Sequence, residues 1–368
     1  MDIHRCRFVP YPTSAINALA FSHTDTPASK KAGSSDSLVR LAIGRANGDI
    51  EIWNPARGTW HQEKTIYGGK DRSIDGLVWV TGPADTLQDG RVIPGRPRLF
   101  SIGYTPTVTE WDLEQARPRK HANGQHGAIW CLAAQPVHRN ASKGQSKVNE
   151  TKTEKLPHHV RKLVGGTADG ELVLYSVEDD TLEFERVIVR STKKRAQMVC
   201  MAFQNADIGV TGCSDSTIRV FSMKRNAVIR MLSISREASK GQGHTGGGSG
   251  SGSTSAKNVI TWSVRVLSNG DIASADSTGE VKIWDGRTFS LAQRVGGAHT
   301  LDVLSLAVSR DGTALASGGM DRRIALYRKA NGTGRWTKVY SRRYHQHDVK
   351  ALAEFEQGKM SVMVSGGA

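Results

Sequence analysis

One pattern recurs along this chain and constrains its fold more than any other feature. It consists of an apolar run, a second run ending in Ser or Gly, a tight turn, and an alternating strand that ends in an aromatic residue. SADSTGEVKIWDG (274–286) is one copy, and RLAIGRANGDIEIWN (40–54) is another. The closing aromatic residues of six copies are Trp53, Trp111, Tyr175, Phe221, Trp284 and Tyr327. Because such a unit cannot bury its apolar surface alone, the repeat predicts sheets that pack side by side.

The number of units follows from the length that remains once the insertions are removed. Four polar, Gly/Ser/Lys-rich insertions lie at about 24–37, 81–97, 137–161 and 236–257. The rest of the 368 residues divides into about seven units of roughly 43 residues. We therefore expect an all-β, seven-bladed β-propeller that fills the whole chain, with a flexible Gly/Ser loop at 236–257. The expected blades are 11–67, 68–122, 123–190, 191–235, 258–296, 297–342, and 343–368 together with 4–10.

The last expected blade is incomplete. VKALAEF (349–355) and MSVMVSGGA (360–368) match the first two strands of a unit, and the chain stops where the tight turn and third strand should follow. Propellers protect their sheet edges by closing the ring. We therefore predict that HRCRFVP (4–10) supplies a strand to the last blade, which would still lack one strand.

The repeated turn, Asp and aromatic pattern resembles the WD-repeat β-propeller family. Blades of that family often contain a hydrogen-bonded set of His, Ser or Thr, Asp and Trp, with the Asp six residues before the Trp. His126 and His299 match the histidine position loosely, but neither shares its unit with a closing Trp, so no complete set is expected. We interpret these His and Asp residues as structural rather than catalytic. The aspartates at the matching position are Asp169, Asp215 and Asp321.

A closer resemblance lies at the N-terminus and in the second unit. MDIHRCRFVPYPTSAINALAFS (1–22) and LFSIGYTPTVTEWDL (99–113) are similar to the cirhin family, the U-three small nucleolar RNA-associated proteins numbered four. The resemblance implies a subunit of the UtpA subcomplex of the small-subunit processome. It also implies a nucleolar scaffold that works on pre-ribosomal RNA near the 5′ external transcribed spacer. Members carry two consecutive propellers, of which this chain would be the first.

The charge of the chain favours a polyanionic partner. Fifty Lys and Arg residues against thirty-five Asp and Glu give a formal charge of +15, and nucleic acid is the leading polyanion. Basic residues collect in segments that should meet on one propeller face, and Tyr344 could stack there on an unpaired base. Without an RNA-reading motif, we expect contact with RNA or acidic protein tails that is not sequence-specific. The candidate contacts are Lys193, Lys194, Arg195, Arg322, Arg323, Arg342, Arg343 and Tyr344.

Other function classes receive little support. The sequence has no nucleophile elbow, Walker or HExxH motif, so we expect no enzyme, no catalytic residues and no cofactor. The histidines at 158–159 and at 345–347 lack neighbouring Cys or carboxylates, so no metal site is expected. Apolar runs are too short to span a bilayer, and the N-terminal residues do not resemble a secretory signal. These observations favour the nucleus and nucleolus.

Two functions remain open at this stage. The first is a non-enzymatic scaffold in small-subunit ribosome biogenesis that holds protein partners and contacts pre-ribosomal RNA through basic loops. The alternative is a WD-repeat adaptor, such as a ubiquitin-ligase substrate receptor or a chromatin reader, which grips a short acidic or modified peptide. The repeat pattern is compatible with both functions, because the fold does not fix the ligand.

Overall fold

The computed structural model describes residues 14–22, 39–55, 60–69, 72–82, 85–86, 92–93, 95–136, 162–190, 196–234, 258–357 and 360–368. Six antiparallel four-stranded sheets, blades 1 to 6, follow one another along the chain. Blade 1 comprises β1 (Ile16–Phe21), β2 (Leu41–Arg45), β3 (Ile50–Asn54) and β4 (His61–Ile66). Blade 2 comprises β5 (Gly76–Thr81), β8 (Pro97–Ile102), β9 (Thr107–Asp112) and β10 (Arg117–Asn123).

The next four blades repeat this order without interruption. Blade 3 comprises β11 (Ile129–Ala134), β12 (Lys162–Thr167), β13 (Leu172–Ser176) and β14 (Glu183–Val189). Blade 4 comprises β15 (Met198–Phe203), β16 (Ile208–Cys213), β17 (Thr217–Ser222) and β18 (Ala227–Ser233). Blade 5 comprises β19 (Thr261–Val266), β20 (Ile272–Asp276), β21 (Val281–Trp284) and β22 (Leu291–Val295). Blade 6 comprises β23 (Val303–Val308), β24 (Ala314–Gly319), β25 (Arg323–Lys329) and β26 (Trp336–Arg343).

Burial is greatest in the two middle strands of each blade. The second and third strands are buried on both faces because neighbouring blades cover them, as in VKIW of β21, where all four residues are buried. Even Lys282 of that strand is 1% exposed, and its ammonium pairs with Asp276 and Glu280. The fourth strands are the most exposed, and seven clusters of buried apolar side chains each draw on two successive sheets. The sequence therefore folds as the predicted all-β propeller.

The expectation of seven blades, the last one incomplete, is wrong for the described residues, which form six four-stranded blades. The chain continues after blade 6 into a two-stranded sheet, β27 (Val349–Gln357) and β28 (Met360–Gly367). No described strand pairs with the outer edge of β28, so the third and fourth positions of a blade are not filled there. Residues 4–10, predicted to add a strand to this sheet, lie outside the described residues.

The two-stranded sheet packs between the last blade and the first. On one side, the Leu352 backbone N–H donates to Ser305 Oγ of β23 at 2.9 Å. On the other side, the Phe355 ring stacks on Phe21 of β1, with 5.3 Å between centroids. Lys350 Nζ also donates to Asn17 Oδ1 at 3.2 Å. The inner strands β1, β5, β11, β15, β19, β23 and β27 therefore surround a common axis.

The insertion between β5 and β8 contains the short strands β6 (Asp85–Thr86) and β7 (Val92–Ile93), which pair with each other. The other insertions predicted from the sequence lie largely or wholly outside the described residues. Within the described ranges, no helix is long and apolar enough to cross a membrane.

A buried charge network joins blade 2 to blade 3. The Arg98 guanidinium binds Glu110 of its own blade through two hydrogen bonds of 2.7 and 2.9 Å. It also donates to the backbone oxygens of Val177 and Thr181 in blade 3, at 2.6 and 2.7 Å. Arg98 and Glu110 are 7% and 1% exposed. A buried carboxylate without such a partner would be costly, so this network holds the two blades in one arrangement.

Candidate nucleic-acid interface

The tight turn between β24 and β25 places Arg322 in an unfavourable backbone conformation. Its φ is +67°, in the left-handed region that L-residues with a side chain rarely adopt. Blades 1, 3 and 5 carry Gly48, Gly170 and Gly279 at the same turn position, with φ between +80° and +87°. In blade 6 an arginine therefore occupies a position that glycine fills in half of the blades.

Beneath this turn, four side chains form a continuous hydrogen-bonded chain. His299 Nδ1 lies 2.9 Å from Asp321 Oδ1, and His299 Nε2 lies 2.7 Å from Ser317 Oγ. The Tyr327 hydroxyl lies 3.0 Å from Ser317 Oγ. The expectation that no blade contains a complete set is wrong here: the set closes in blade 6 with a tyrosine in place of the tryptophan, because the phenol hydroxyl replaces the indole N–H.

Blade 3 contains a shortened version of the same network. Gly165 stands where blade 6 has the serine, and His126 Nε2 contacts the Tyr175 hydroxyl directly at 2.6 Å. The prediction that the His and Asp residues of the repeat are structural fits their positions, since His299 and Asp321 are buried beneath a turn. Among the described residues, no three His, Cys, Asp or Glu side chains are grouped so that they could hold a metal ion.

Three of the candidate arginines flank Arg322 at the same end of blade 6. Strand β25 begins at Arg323 and β26 ends at Arg343, and these two residues are direct cross-strand partners. Arg342 is paired with Ile324 and therefore points to the other side of the sheet. We call Arg322, Arg323, Arg342 and Arg343 the arginine corner. Like charges directly opposite each other destabilise a sheet, so the arrangement needs a reason outside the fold.

The arginine corner is not neutralised by carboxylates. None of its four guanidinium groups forms an ion pair with a described residue, whereas Arg40, Arg45, Arg98, Arg119 and Arg219 all do. The neighbouring Asp321 carboxylate is already used by His299 and by the backbone N–H groups of Thr300 and Arg323. Burial opposes its ionisation, but these hydrogen bonds keep the pKa of Asp321 below its ordinary value. The corner therefore presents uncompensated positive charge.

Two tyrosines support one side of the corner. The Arg342 guanidinium lies 5.6 Å from the centroid of the Tyr340 ring, and Tyr340 lies 5.9 Å from Tyr344. Tyr344 is half-buried, and its hydroxyl is buried without a hydrogen-bond partner. Its ring lies beside the Tyr340 ring, and the predicted stacking of Tyr344 on a base stays a prediction.

The remaining candidates, Lys193, Lys194 and Arg195, lie outside the described residues. The structure brings Arg322, Arg323, Arg342 and Arg343 together, as the placement of joints and tight turns on one face predicts. The sequence pattern did not reveal the complete His, Ser, Asp and aromatic set of blade 6, because the family pattern has tryptophan as its aromatic residue and blade 6 has Tyr327. The spacing of His299, Ser317, Asp321 and Tyr327 held the signal, since the serine lies ten residues before the aromatic in this copy and also in the copies that close with Trp111 and Trp284.

The buried thiols of blades 3 and 4, Cys131, Cys200 and Cys213, are poorly suited to react. Burial raises the pKa of Cys200 to about 12 and that of Cys213 to about 11, and it also raises the pKa of Cys131. Reactivity requires the thiolate, so these residues behave as small apolar side chains.

Six radial blades, the aromatic-closed hairpins and the His–Ser–Tyr–Asp set define a WD-repeat β-propeller protein. The family model for the WD domain, G-beta repeat, matches residues 292–328, the part of blade 6 that contains this set. The chain is homologous along its length to U3 small nucleolar RNA-associated protein 4 of Schizosaccharomyces pombe, with 37% identity over 374 residues. The protein of that name from Saccharomyces cerevisiae is 33% identical over 379 residues.

The similarity extends to animals at lower identity. The human U3 small nucleolar RNA-associated protein 4 homolog is 24% identical over 99% of this chain. The two fungal matches cover 100% of this chain. The chain itself spans 44% of the S. pombe and human proteins and 41% of the S. cerevisiae protein, and it corresponds to their N-terminal part.

Proposed function

We propose that this protein acts in small-subunit ribosome biogenesis as a non-enzymatic scaffold that binds pre-ribosomal RNA through phosphate contacts. The observation that carries the RNA contact is the arginine corner, where four guanidinium groups lie at one end of two paired strands without a carboxylate partner. Guanidinium groups suit phosphates because their N–H fork matches two phosphate oxygens.

The expected affinity is salt-dependent and largely blind to sequence. If each of the four arginines neutralises one phosphate of single-stranded RNA, the slope of log K against log salt is about −3 from the corner alone. Contacts of this kind position a protein on RNA without reading bases. Arg342, held over the Tyr340 ring, loses less conformational freedom on binding than a mobile arginine, which favours its use.

Two matched double variants test the corner. Arg342→Gln with Arg343→Gln removes two charges from the corner, and Lys224→Gln with Arg225→Gln removes two exposed charges from the turn between β17 and β18 at the opposite end of a blade. Fluorescence anisotropy with a single-stranded RNA across a salt series reports the slope. We expect the first variant to lower the slope by roughly 1 to 2 and the second to leave it unchanged.

Equal effects of the two double variants would show that only net charge matters, and a slope near zero for the unmodified protein would remove the phosphate-contact proposal. Glutamine removes the charge and leaves a shorter, polar side chain that still forms hydrogen bonds. The free energy of unfolding, measured by urea denaturation, separates a folding defect from a binding defect.

The proposed setting rests on the homologues. Their names connect them with the U3 small nucleolar RNA, which supports a role in ribosome biogenesis and a place in the nucleolus. We propose that this chain joins other UtpA subunits near the 5′ external transcribed spacer of pre-ribosomal RNA. Affinity purification from nuclear extract tests this assignment: processome proteins and pre-ribosomal RNA are expected, whereas cullin-type ligases or histones would favour the adaptor alternative.

We also propose that β27 and β28 are the first two strands of a seventh blade. His345 Nε2 lies 2.9 Å from Ser365 Oγ, and this pair repeats the contact between His299 and Ser317 in blade 6. In both cases the histidine lies four residues before the inner strand. Residues 4–10 would supply one of the two remaining strands. Hydrogen exchange by mass spectrometry is expected to show slow exchange in 4–10, and fast exchange there contradicts the closure.

A further inference from the structure

The axis of the propeller contains a cavity of about 480 Å³. Six of the inner strands line it, mainly with residues close to their C-terminal ends, and most of the lining residues have apolar side chains, including Leu19, Leu77, Trp79 and Leu352. The arginine corner lies at the opposite end of the blades, where β25 begins and β26 ends. The cavity is therefore separate from the proposed RNA contact.

Arg265 of β19 is the exception in the lining of this cavity. Every other inner strand carries a small residue at the same register position. These residues are Ala20, Val78, Ala133, Ala202, Ala307 and Ala353. The small side chains at these positions leave space in front of the Arg265 guanidinium for a ligand group. Apolar side chains alone could have filled the axis, so the arginine is not explained by packing.

The Arg265 guanidinium has almost no partners in the described part of the chain. Its single hydrogen bond runs from an Nη1–H to the backbone oxygen of Val264, at 3.0 Å, out of five available donors. It forms no ion pair with any described residue. The other charged residue lining the cavity is Glu354, whose carboxylate accepts the backbone N–H of Arg310 at 3.1 Å. Burial lowers the pKa of Arg265, which reflects the desolvation of this cation.

We propose that the axial cavity binds an organic carboxylate, with the carboxylate on Arg265 and the apolar part of the ligand against Leu19, Leu77 and Trp79. A planar carboxylate accepts two N–H bonds from one guanidinium, which supplies the partner that this cation lacks. An RNA phosphate fits less well, because one cation in an apolar pocket cannot hold a polyanion that is hydrated on every side. The carboxylate belongs either to a free small acid or to the C-terminus of a polypeptide.

Saturation-transfer NMR on the full chain tests the proposal with four probes. These are hexanoate, the uncharged hexanamide, a short peptide ending in leucine with a free carboxylate, and the same peptide as its amide. We expect saturable binding of at least one carboxylate and not of its amide. Tighter binding of the peptide acid identifies a polypeptide terminus as the ligand, and tighter binding of hexanoate identifies a free acid.

Variants at Arg265 complete the test. Arg265→Ala places in β19 the residue that five other inner strands carry at this position, so the fold accommodates it, and a thermal melt verifies this. We expect it to weaken carboxylate binding by roughly tenfold to hundredfold, whereas Arg265→Lys retains part of the affinity. Unchanged affinity in Arg265→Ala, equal binding of the amides, or no saturable binding of either carboxylate overturns the proposal.

Discussion

Replacing Arg322 with glycine should stabilise the fold and weaken RNA binding at once. Arg322 has φ of +67° in the turn between β24 and β25, and the equivalent residues of blades 1, 3 and 5 are glycines. A fold that needed only a stable turn would use glycine here as well. The substitution therefore separates the contribution of this residue to folding from its contribution to binding.

The magnitude follows from two opposing terms. A side chain held in the left-handed region costs about 1–2 kcal/mol. Glycine gives back roughly 0.4–1 kcal/mol of that gain, because it makes the unfolded chain more flexible. Removing a positive charge beside the opposed Arg323 and Arg343 adds a few tenths of a kcal/mol. The net expectation is a gain of about 0.5–1 kcal/mol in the free energy of unfolding.

Urea denaturation measures the gain, and two further variants at the same position separate its sources. Arg322→Ala removes the charge and keeps the strained backbone, whereas Arg322→Lys keeps both. We expect Arg322→Gly to be more stable than Arg322→Ala by about 0.5 kcal/mol, since both variants share the gain from removing the charge. The glycine and alanine variants should each reduce the salt slope of RNA binding by about 0.7, and the lysine variant should not.

Two results would refute the reasoning. If Arg322→Gly is no more stable than Arg322→Ala, the left-handed conformation is not a source of strain. If both uncharged variants bind RNA with the slope of the unmodified protein, Arg322 does not contact phosphate. The first result tests only the effect of Arg322 on stability, and the second tests only its effect on RNA binding.

Three further predictions concern stability. Arg98→Ala should lower the free energy of unfolding by as much as about 3 kcal/mol, because the buried Glu110 carboxylate then keeps only its 3.1 Å pair with Arg119; Arg96→Ala, which breaks only an exposed pair with 3.6 Å between the charged atoms, should cost under about 1 kcal/mol in the same urea titration. Ser317→Ala should cost about 1–3 kcal/mol, since two buried groups lose their hydrogen-bond partner, and an unchanged midpoint would contradict this. Hydrogen bonds from neighbouring side chains lower the Asp311 pKa to about 2. The stabilisation of the fold by this carboxylate is therefore complete above its ordinary pKa and is lost as the pH falls from there toward about 2. Asp311→Asn should flatten the acid limb of a curve of melting temperature against pH.

The fold was predictable from the sequence because its signal is local and repeated. Alternation before Trp53 and Trp284 marks third strands, and the same turn precedes each of them. The fourth strands β4 and β18 fall within segments whose alternation indicates outer strands, 59–67 and 227–234. The number of complete blades was not predictable, because the apolar runs of β27 and β28 look like a unit whether or not two more strands join them.

The site was predictable only in part, for reasons of geometry. The strand order puts the connections between blades and the tight turns on the same face of the propeller. Arg322, in a tight turn, was therefore expected near Arg342, at a connection between blades. The direct opposition of Arg323 and Arg343 depends on the pairing register of β25 and β26, which includes a bulge after Leu326. Arg265 stands out only after the inner strands are aligned by their pairing, since WSVRV resembles any other half-buried strand.

The contact between Lys350 and Asn17 has a consequence for how the chain acquires its structure. These residues are 333 positions apart in sequence, so the inner strands β1 and β27 meet only after both segments have left the ribosome. Each earlier blade forms from neighbouring segments, at a small cost in chain entropy, whereas this seam joins segments that are far apart in sequence. During synthesis, the side of β1 that packs against β27 therefore stays uncovered. Conditions that slow the pairing of these two strands leave this side open to chaperones or to misassembly.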